Sequence, residues 1–129
     1  MKLLLDTNIL LWSAEGVLSK QATSYVLDAS NTLYFSPASI WEIVTKYNLK
    51  RKDFTTNPEE MYDGLLKNGY VELTLTARHM LGVGALPNIH KDPFDRILVS
   101  QAIAEGARLL TSDAILAKYS DSVIYVPKA

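Results

Sequence analysis

The sequence predicts an α/β fold: a parallel sheet of about five strands with helices on both faces. Two observations carry this. Short apolar or branched runs recur at KLLL (2–5), TLYFS (32–36), VELTL (71–75), ARLLTS (107–112) and SVIYV (122–126). Between them lie longer stretches with helical spacing and helical start and stop residues. That alternation is the mark of strand–helix–strand units. At 129 residues the chain has the size of one domain, residues 1–129, with a real core.

Each element has a local reason. KLLL (2–5) is a short buried strand, and a helix follows around Ile9–Trp12. SKQATSYVLDAS (19–30) is helical, with Ser19 as N-cap. TLYFS (32–36) is rich in aromatic and branched residues, which favour strands. PASIWEIVTKYNLK (37–50) opens with Pro37 in the first turn, where the missing N–H costs nothing. NPEEMYDGLLKNG (57–69) repeats the device: Asn57 caps, Pro58 starts, Gly69 stops. VELTL (71–75) is a third strand and TARHMLGVGAL (76–86) a short helix. DPFDRILVSQAIAEG (92–106) is the best-marked helix, from Asp92 as cap and Pro93 at its first position to Gly106. ARLLTS (107–112), a short helix over Asp113–Tyr119 and SVIYV (122–126) complete the order.

Composition narrows the class. The chain is 48% hydrophobic and 21% charged, which suits a globular protein rather than a disordered one. Formal charge is −1, so bulk electrostatics do not mark a nucleic-acid binder, and any such surface must be local. There is no cysteine, which excludes disulfides and thiolate metal sites. The apolar N-terminal run is broken by Asp6 and Asn8, too soon for a bilayer span and in the wrong place for a secretion signal. A cytoplasmic protein with no membrane segment is expected.

Four acids stand out. In sheets of this kind ligands gather at the carboxyl ends of the strands. Asp6 lies just past the first strand and Asp113 just past the fourth. Each also reads as an ordinary cap or turn acid. On a helical wheel Asp95 falls among Leu98, Val99 and Ala102, inside an apolar arc, where an unpaired carboxylate needs compensation. A first-turn acid facing the helix dipole is its simpler reading. Asp92 is explained fully as an N-cap. Glu42 is the hard one. Ile40, Ile43, Val44 and Tyr47 form the core stripe of its helix, and the wheel sets Glu42 nearly opposite, beside Lys46. Periodicity alone puts it in solvent. Carboxylates brought together repel, and they relieve this by taking up protons or binding a cation. Oxygen-only ligands suit Mg²⁺ or Mn²⁺. Zinc is disfavoured, since only His79 and His90 offer nitrogen.

LLLDTNILLW, SIWEIVTKY and DPFDRILVSQAIAEGARLLTSD together resemble the PIN domain family, and within it the VapC-like ribonuclease toxins of type II toxin–antitoxin pairs. The resemblance covers essentially the whole chain. It implies a three-layer α/β/α sandwich and Mg²⁺- or Mn²⁺-dependent endonucleolytic cleavage of RNA. It assigns the catalytic acids to Asp6, Glu42, Asp95 and Asp113, with Asp6, Asp95 and Asp113 holding the metal. For Glu42 it overrides the wheel. Asp95, ahead of ILVSQA, takes the family position and Asp92 remains a cap. Thr7, Asn8 and Thr111 then orient carboxylates or waters.

RNA approaching an acidic site needs flanking cations. Lys46, Lys50, Arg51 and Lys52 supply them, with Tyr47 interleaved, and Arg78, His79, His90, Lys91 and Arg96 are further candidates. The resemblance also implies a homodimer and a small antitoxin lying in an apolar groove, for which Trp12, Leu18, Trp41 and Tyr47 are candidate walls. Competing readings are a PIN nuclease of RNA processing or DNA repair, and a binding module that has kept the fold without catalysis. A haloacid-dehalogenase-like phosphatase wants a second acid two residues after the first, where this chain has Asn8.

Overall fold

The computed structural model describes residues 1–129. In chain order it contains β1 (Lys2–Leu5), α1 (Thr7–Glu15), α2 (Lys20–Leu27), β2 (Thr32–Phe35), α3 (Pro37–Asn48), α4 (Pro58–Lys67), β3 (Val71–Glu72), α5 (Ala77–Val83), α6 (Pro93–Glu105), β4 (Arg108–Thr111) and β5 (Val123–Tyr125). A single 3₁₀ turn spans Leu116–Lys118. The five strands form one parallel sheet in the order β3-β2-β1-β4-β5.

β1 is the middle strand, which explains its unbroken leucines. Leu3, Leu4 and Leu5 are all 0% exposed. Strand side chains alternate between faces. Leu3 and Leu5 therefore join one core with Ile9, Leu10, Ala22, Met61 and Leu65 of α1, α2 and α4. Leu4 joins the other with Leu98, Val99 and Ala102 of α6. A strand buried on both faces has no place for polar alternation. Each such leucine contributes roughly 2 kcal/mol. α3 serves both cores: Ile43 packs into the first and Ala38 into the second.

Three elements are shorter than their sequence patterns suggest. α2 stops at Leu27 because the Asp28 carboxylate accepts hydrogen bonds from the Ser30 N–H (2.9 Å) and hydroxyl (2.7 Å), a local turn that competes with the helix. β3 keeps only Val71 and Glu72; just beyond them the Leu73 N–H still donates to the Phe35 carbonyl (2.9 Å), while the Leu73 carbonyl accepts from the buried Gln101 amide (2.8 Å). The stretch after Asp113 forms the 3₁₀ turn in place of an α-helix. No helix is long and apolar enough to cross a membrane.

Candidate acidic site at the carboxyl edge of the sheet

The order β2-β1-β4 sets three carboxyl ends side by side. Asp6 follows β1 and is the N-cap of α1, so no loop separates strand from helix. Its Oδ1 accepts the Ile9 N–H at 2.9 Å, and its Oδ2 accepts the Thr111 hydroxyl. The cap reading of Asp6 therefore holds, and the carboxylate still lies at the sheet edge, 5% exposed. Burial pushes its pKa up to about 6, against the lowering effect of the Thr111 and Ile9 bonds. The charges of Glu42 and Asp113 push the same way.

Thr111 ends β4 and ties two acids together. Its hydroxyl donates to Asp6 and accepts the Asp113 N–H at 3.0 Å. Asp113 is half-exposed; its Oδ1 accepts the Ile115 N–H at 2.9 Å. Asp95 enters from the first turn of α6, beside the cap Asp92, whose Oδ1 accepts from Phe94 N–H (2.9 Å) and Asp95 N–H (3.4 Å). Burial pushes the Asp95 pKa up to about 7, helped by the negative charges of Asp92, Asp6 and Glu42.

Glu42 corrects the wheel. It is 8% exposed, with Oε2 3.0 Å from Lys46 Nζ and Oε1 buried without a hydrogen-bond partner. The reason is that α3 packs against more than the sheet. Ser39, one turn before Glu42, is 0% exposed and accepts the Thr7 hydroxyl at 3.0 Å, so this second face of α3 meets α1 and α6. The apolar stripe revealed one buried face of a helix that has two. Tyr47, placed in that stripe, is 38% exposed instead.

His90 is the residue whose place the sequence hid. Its Nε2 lies 3.0 Å from Asp113 Oδ2 and 3.7 Å from Asp95 Oδ2. Ligand atoms of His90, Asp95 and Asp113 all fall within 4.8 Å of one another. It stands in NIHKD, where no period predicts a position; the only signal was its closeness to the DPFD cap. His79, by contrast, is buried between α5 and α6, with Nε2 2.8 Å from Glu105 Oε1, away from the acids.

Among the other named residues, Thr7 is buried against Ser39 and Asn8 is exposed. Lys50, Arg51 and Lys52 are exposed after α3. A crevice of about 480 Å³ runs from Glu42 past Lys46, Arg51 and Lys91 to Asp92 and Phe94. Arg96 is engaged internally: its guanidinium donates to the carbonyls of Val83 and Pro87 (3.1 Å each) and to the Tyr119 hydroxyl (3.2 Å). It therefore braces the loop before α6 rather than extending into solvent. An apolar groove of about 670 Å³ does exist, but its walls are Leu10, Val26, Leu33, Met61, Leu65 and Tyr70. Trp12 and Leu18 pack on the core beside it, and Trp41 is 64% exposed against Phe94.

The donor set fits a hard divalent cation. Carboxylate oxygens dominate, two acids are pushed toward neutrality by burial, and one buried Glu42 oxygen has no partner. A cation coordinated there would satisfy all three conditions. The PIN domain family model matches residues 3–122. The chain belongs to the PIN domain family. No curated protein matches the chain. Solved structures do share the PIN fold. A chain of VapBC2 from Rickettsia felis, bound to a promoter DNA fragment, is similar at TM-score 0.71 and 19% identity, with 100% of both chains covered. FitAcB from Neisseria gonorrhoeae gives 0.65 at 12%, covering 97% of each chain. DNA-bound VapBC from Salmonella typhimurium gives 0.64 at 14%, covering 98% of each. These relations confirm the parallel α/β/α architecture.

Proposed function

We propose that this PIN-domain protein is a Mg²⁺- or Mn²⁺-dependent endoribonuclease acting in the cytoplasm as the toxin of a VapBC-like pair. What supports the proposal is that Asp6, Glu42, Asp95 and Asp113 act on one another's charge, and that Thr111 bridges Asp6 and Asp113. Asp6, Asp95 and Asp113 would hold the cation. When bound, it supplies a more acidic water and offsets charge on a phosphoryl oxygen. Glu42 completes the set or accepts a proton from the attacking water through its unpaired oxygen. Thr111 keeps the Asp6 carboxylate turned to the site, and the Thr7–Ser39 bond fixes α1 against α3. Lys46 and Arg51 line the crevice and the exposed Lys50 and Lys52 adjoin Arg51 in the chain; these four cations would hold a passing phosphate backbone.

The partner reading rests on fold neighbours that are toxin–antitoxin complexes and on the apolar groove between α1, α2 and α4. A small antitoxin would occupy that groove, and a second copy of the chain would complete a homodimer. The test is induction of wild type and Asp95→Asn in growing bacteria, followed by mapping of new RNA 5′ ends. Arrest with discrete new ends, absent in the variant, supports the proposal. Folded wild-type protein that produces neither favours a non-catalytic binding module.

A further inference from the structure

We infer that His90 is a positioning residue of the acidic site: its ring, accepting at Nδ1 and donating from Nε2, fixes the Asp113 carboxylate and is not itself a metal ligand. This rests on the metal-site reading above. His90 lies between α5 and α6, outside any regular element, yet its backbone is clamped. The Tyr119 hydroxyl accepts the His90 N–H at 2.7 Å and donates to the His90 carbonyl at 3.3 Å. Arg96 donates to the same hydroxyl and to the carbonyls of Val83 and Pro87. α6 and the 3₁₀ turn thus set the loop from both sides.

The ring is set as firmly. The Asp92 N–H donates to Nδ1 at 3.0 Å. A ring nitrogen that accepts carries no proton, so the proton is on Nε2. Nε2 then donates to Asp113 Oδ2 at 3.0 Å, while Ile115 N–H holds Oδ1. One donor on each oxygen fixes the carboxylate plane of a side chain that is 35% exposed and stands on an irregular segment. For Nε2 to ligate a cation its proton would have to move to Nδ1, where it would meet the Asp92 N–H, donor against donor. Asp92 is also the N-cap of α6, so the group that orients His90 shares its residue with the start of the helix bearing Asp95.

Two measurements test this. In metal-free protein, ¹⁵N correlation spectra of the imidazole are expected to show the Nε2–H tautomer; an Nδ1–H tautomer overturns the inference. Mn²⁺ binding is then compared in wild type, His90→Ala and His90→Gln, each confirmed folded. His90→Ala is expected to weaken Mn²⁺ by about tenfold or more, and His90→Gln, which retains an N–H donor, to recover most of it. Unchanged affinity in His90→Ala overturns the positioning role. A directly bound histidine nitrogen in pulsed EPR of the Mn²⁺ wild type makes His90 a ligand and also overturns it. If wild type takes up no Mn²⁺, the metal reading fails separately. The tautomer still decides, together with the Asp113 rotamer in a His90→Ala crystal structure, which is expected to be lost; its retention defeats the inference.

Discussion

Replacing Asp95 by Asn is expected to abolish RNA cleavage and to stabilise the fold at neutral pH. The sign follows from the direction of the displacement. The Asp95 pKa stands at about 7 in the folded protein against 3.8 for the free group. The folded state therefore holds its proton over a range in which the unfolded chain has released it. Well below pH 3.8 both states are protonated and the residue costs nothing. Between pH 4 and 7 stability falls as pH rises, and above 7 the full penalty applies. At 1.36 kcal/mol per decade the gap corresponds to about 4 kcal/mol. The side chain keeps 21% of its surface exposed, and Asn must still bury an amide. Solvent screening and that amide reduce the expected gain to about 1–2 kcal/mol. At this chain length that is roughly 3–5 °C in melting temperature per kcal/mol. Urea melts of wild type and Asp95→Asn at pH 4 and 7.5, without metal, provide the assay. The difference should be small at pH 4 and favour the variant clearly at 7.5. A variant less stable at pH 7.5, or a difference indifferent to pH, would refute the electrostatic reasoning.

Thr111→Val removes the donor to Asp6 and the acceptor for the Asp113 N–H; Mn²⁺ affinity measured by calorimetry should fall about 10–100-fold with the fold retained. Arg51→Ala with Lys52→Ala should raise KM for RNA and leave kcat unchanged, and the slope of log affinity against log salt should flatten by about 0.7 for each phosphate no longer neutralised; an unchanged slope removes these residues from the RNA path. Leu110→Ala, at a wholly buried position in β4, should cost about 3 kcal/mol in a urea melt. Binding of Mn²⁺ near pH 6.5 should release protons from Asp6 and Asp95, seen as a calorimetric enthalpy that varies with the buffer's ionisation heat; an enthalpy independent of buffer would show that the two acids are already ionised.

What was legible in the sequence is what local chemistry decides. The Leu3–Leu5 run reads as a doubly buried strand because nothing in it is polar, and α6 is bounded by Asp92, Pro93 and Gly106, each with one clear structural use. Asp6 and Asp113 could be set at one edge of the sheet because strand ends are local and the parallel order follows from alternation. Glu42 and His90 were not legible from periodicity, for different reasons. Glu42 lies on a helix with two buried faces, and a wheel displays the apolar one. His90 is placed by hydrogen bonds from Tyr119 and Asp92, and no spacing rule predicts the path of a loop through them. Resemblance to a family recovered Glu42 because it compares whole patterns; it carried no role for His90. Arg96 shows the converse: offered by the sequence as a cation for RNA, it is engaged by carbonyls that lie 6 to 13 residues upstream, which no local pattern reveals.

The aspartate in the apolar opening run has a physical reason to be there. Asp6 ends β1 and caps α1 in one residue, so its carboxylate is held by a strand–helix junction with no loop to relax. Burial there costs free energy, as the raised pKa records, and the cost is offset by leucines packed into both cores immediately before it. Thr111 stands at the same level on the neighbouring strand and reaches Asp6 directly. Asp6 and Thr111 thus form a rigid half of the site, carried by the two strands at the centre of the sheet. Asp113 and His90 form the other half, carried by irregular chain and fixed largely by side-chain hydrogen bonds. Preorganisation in the first half comes from the core, and in the second from a network that single substitutions can dismantle. Mutations that tune the site without unfolding the protein should therefore fall on the His90 side, and mutations of the Asp6 side should be felt in stability as well.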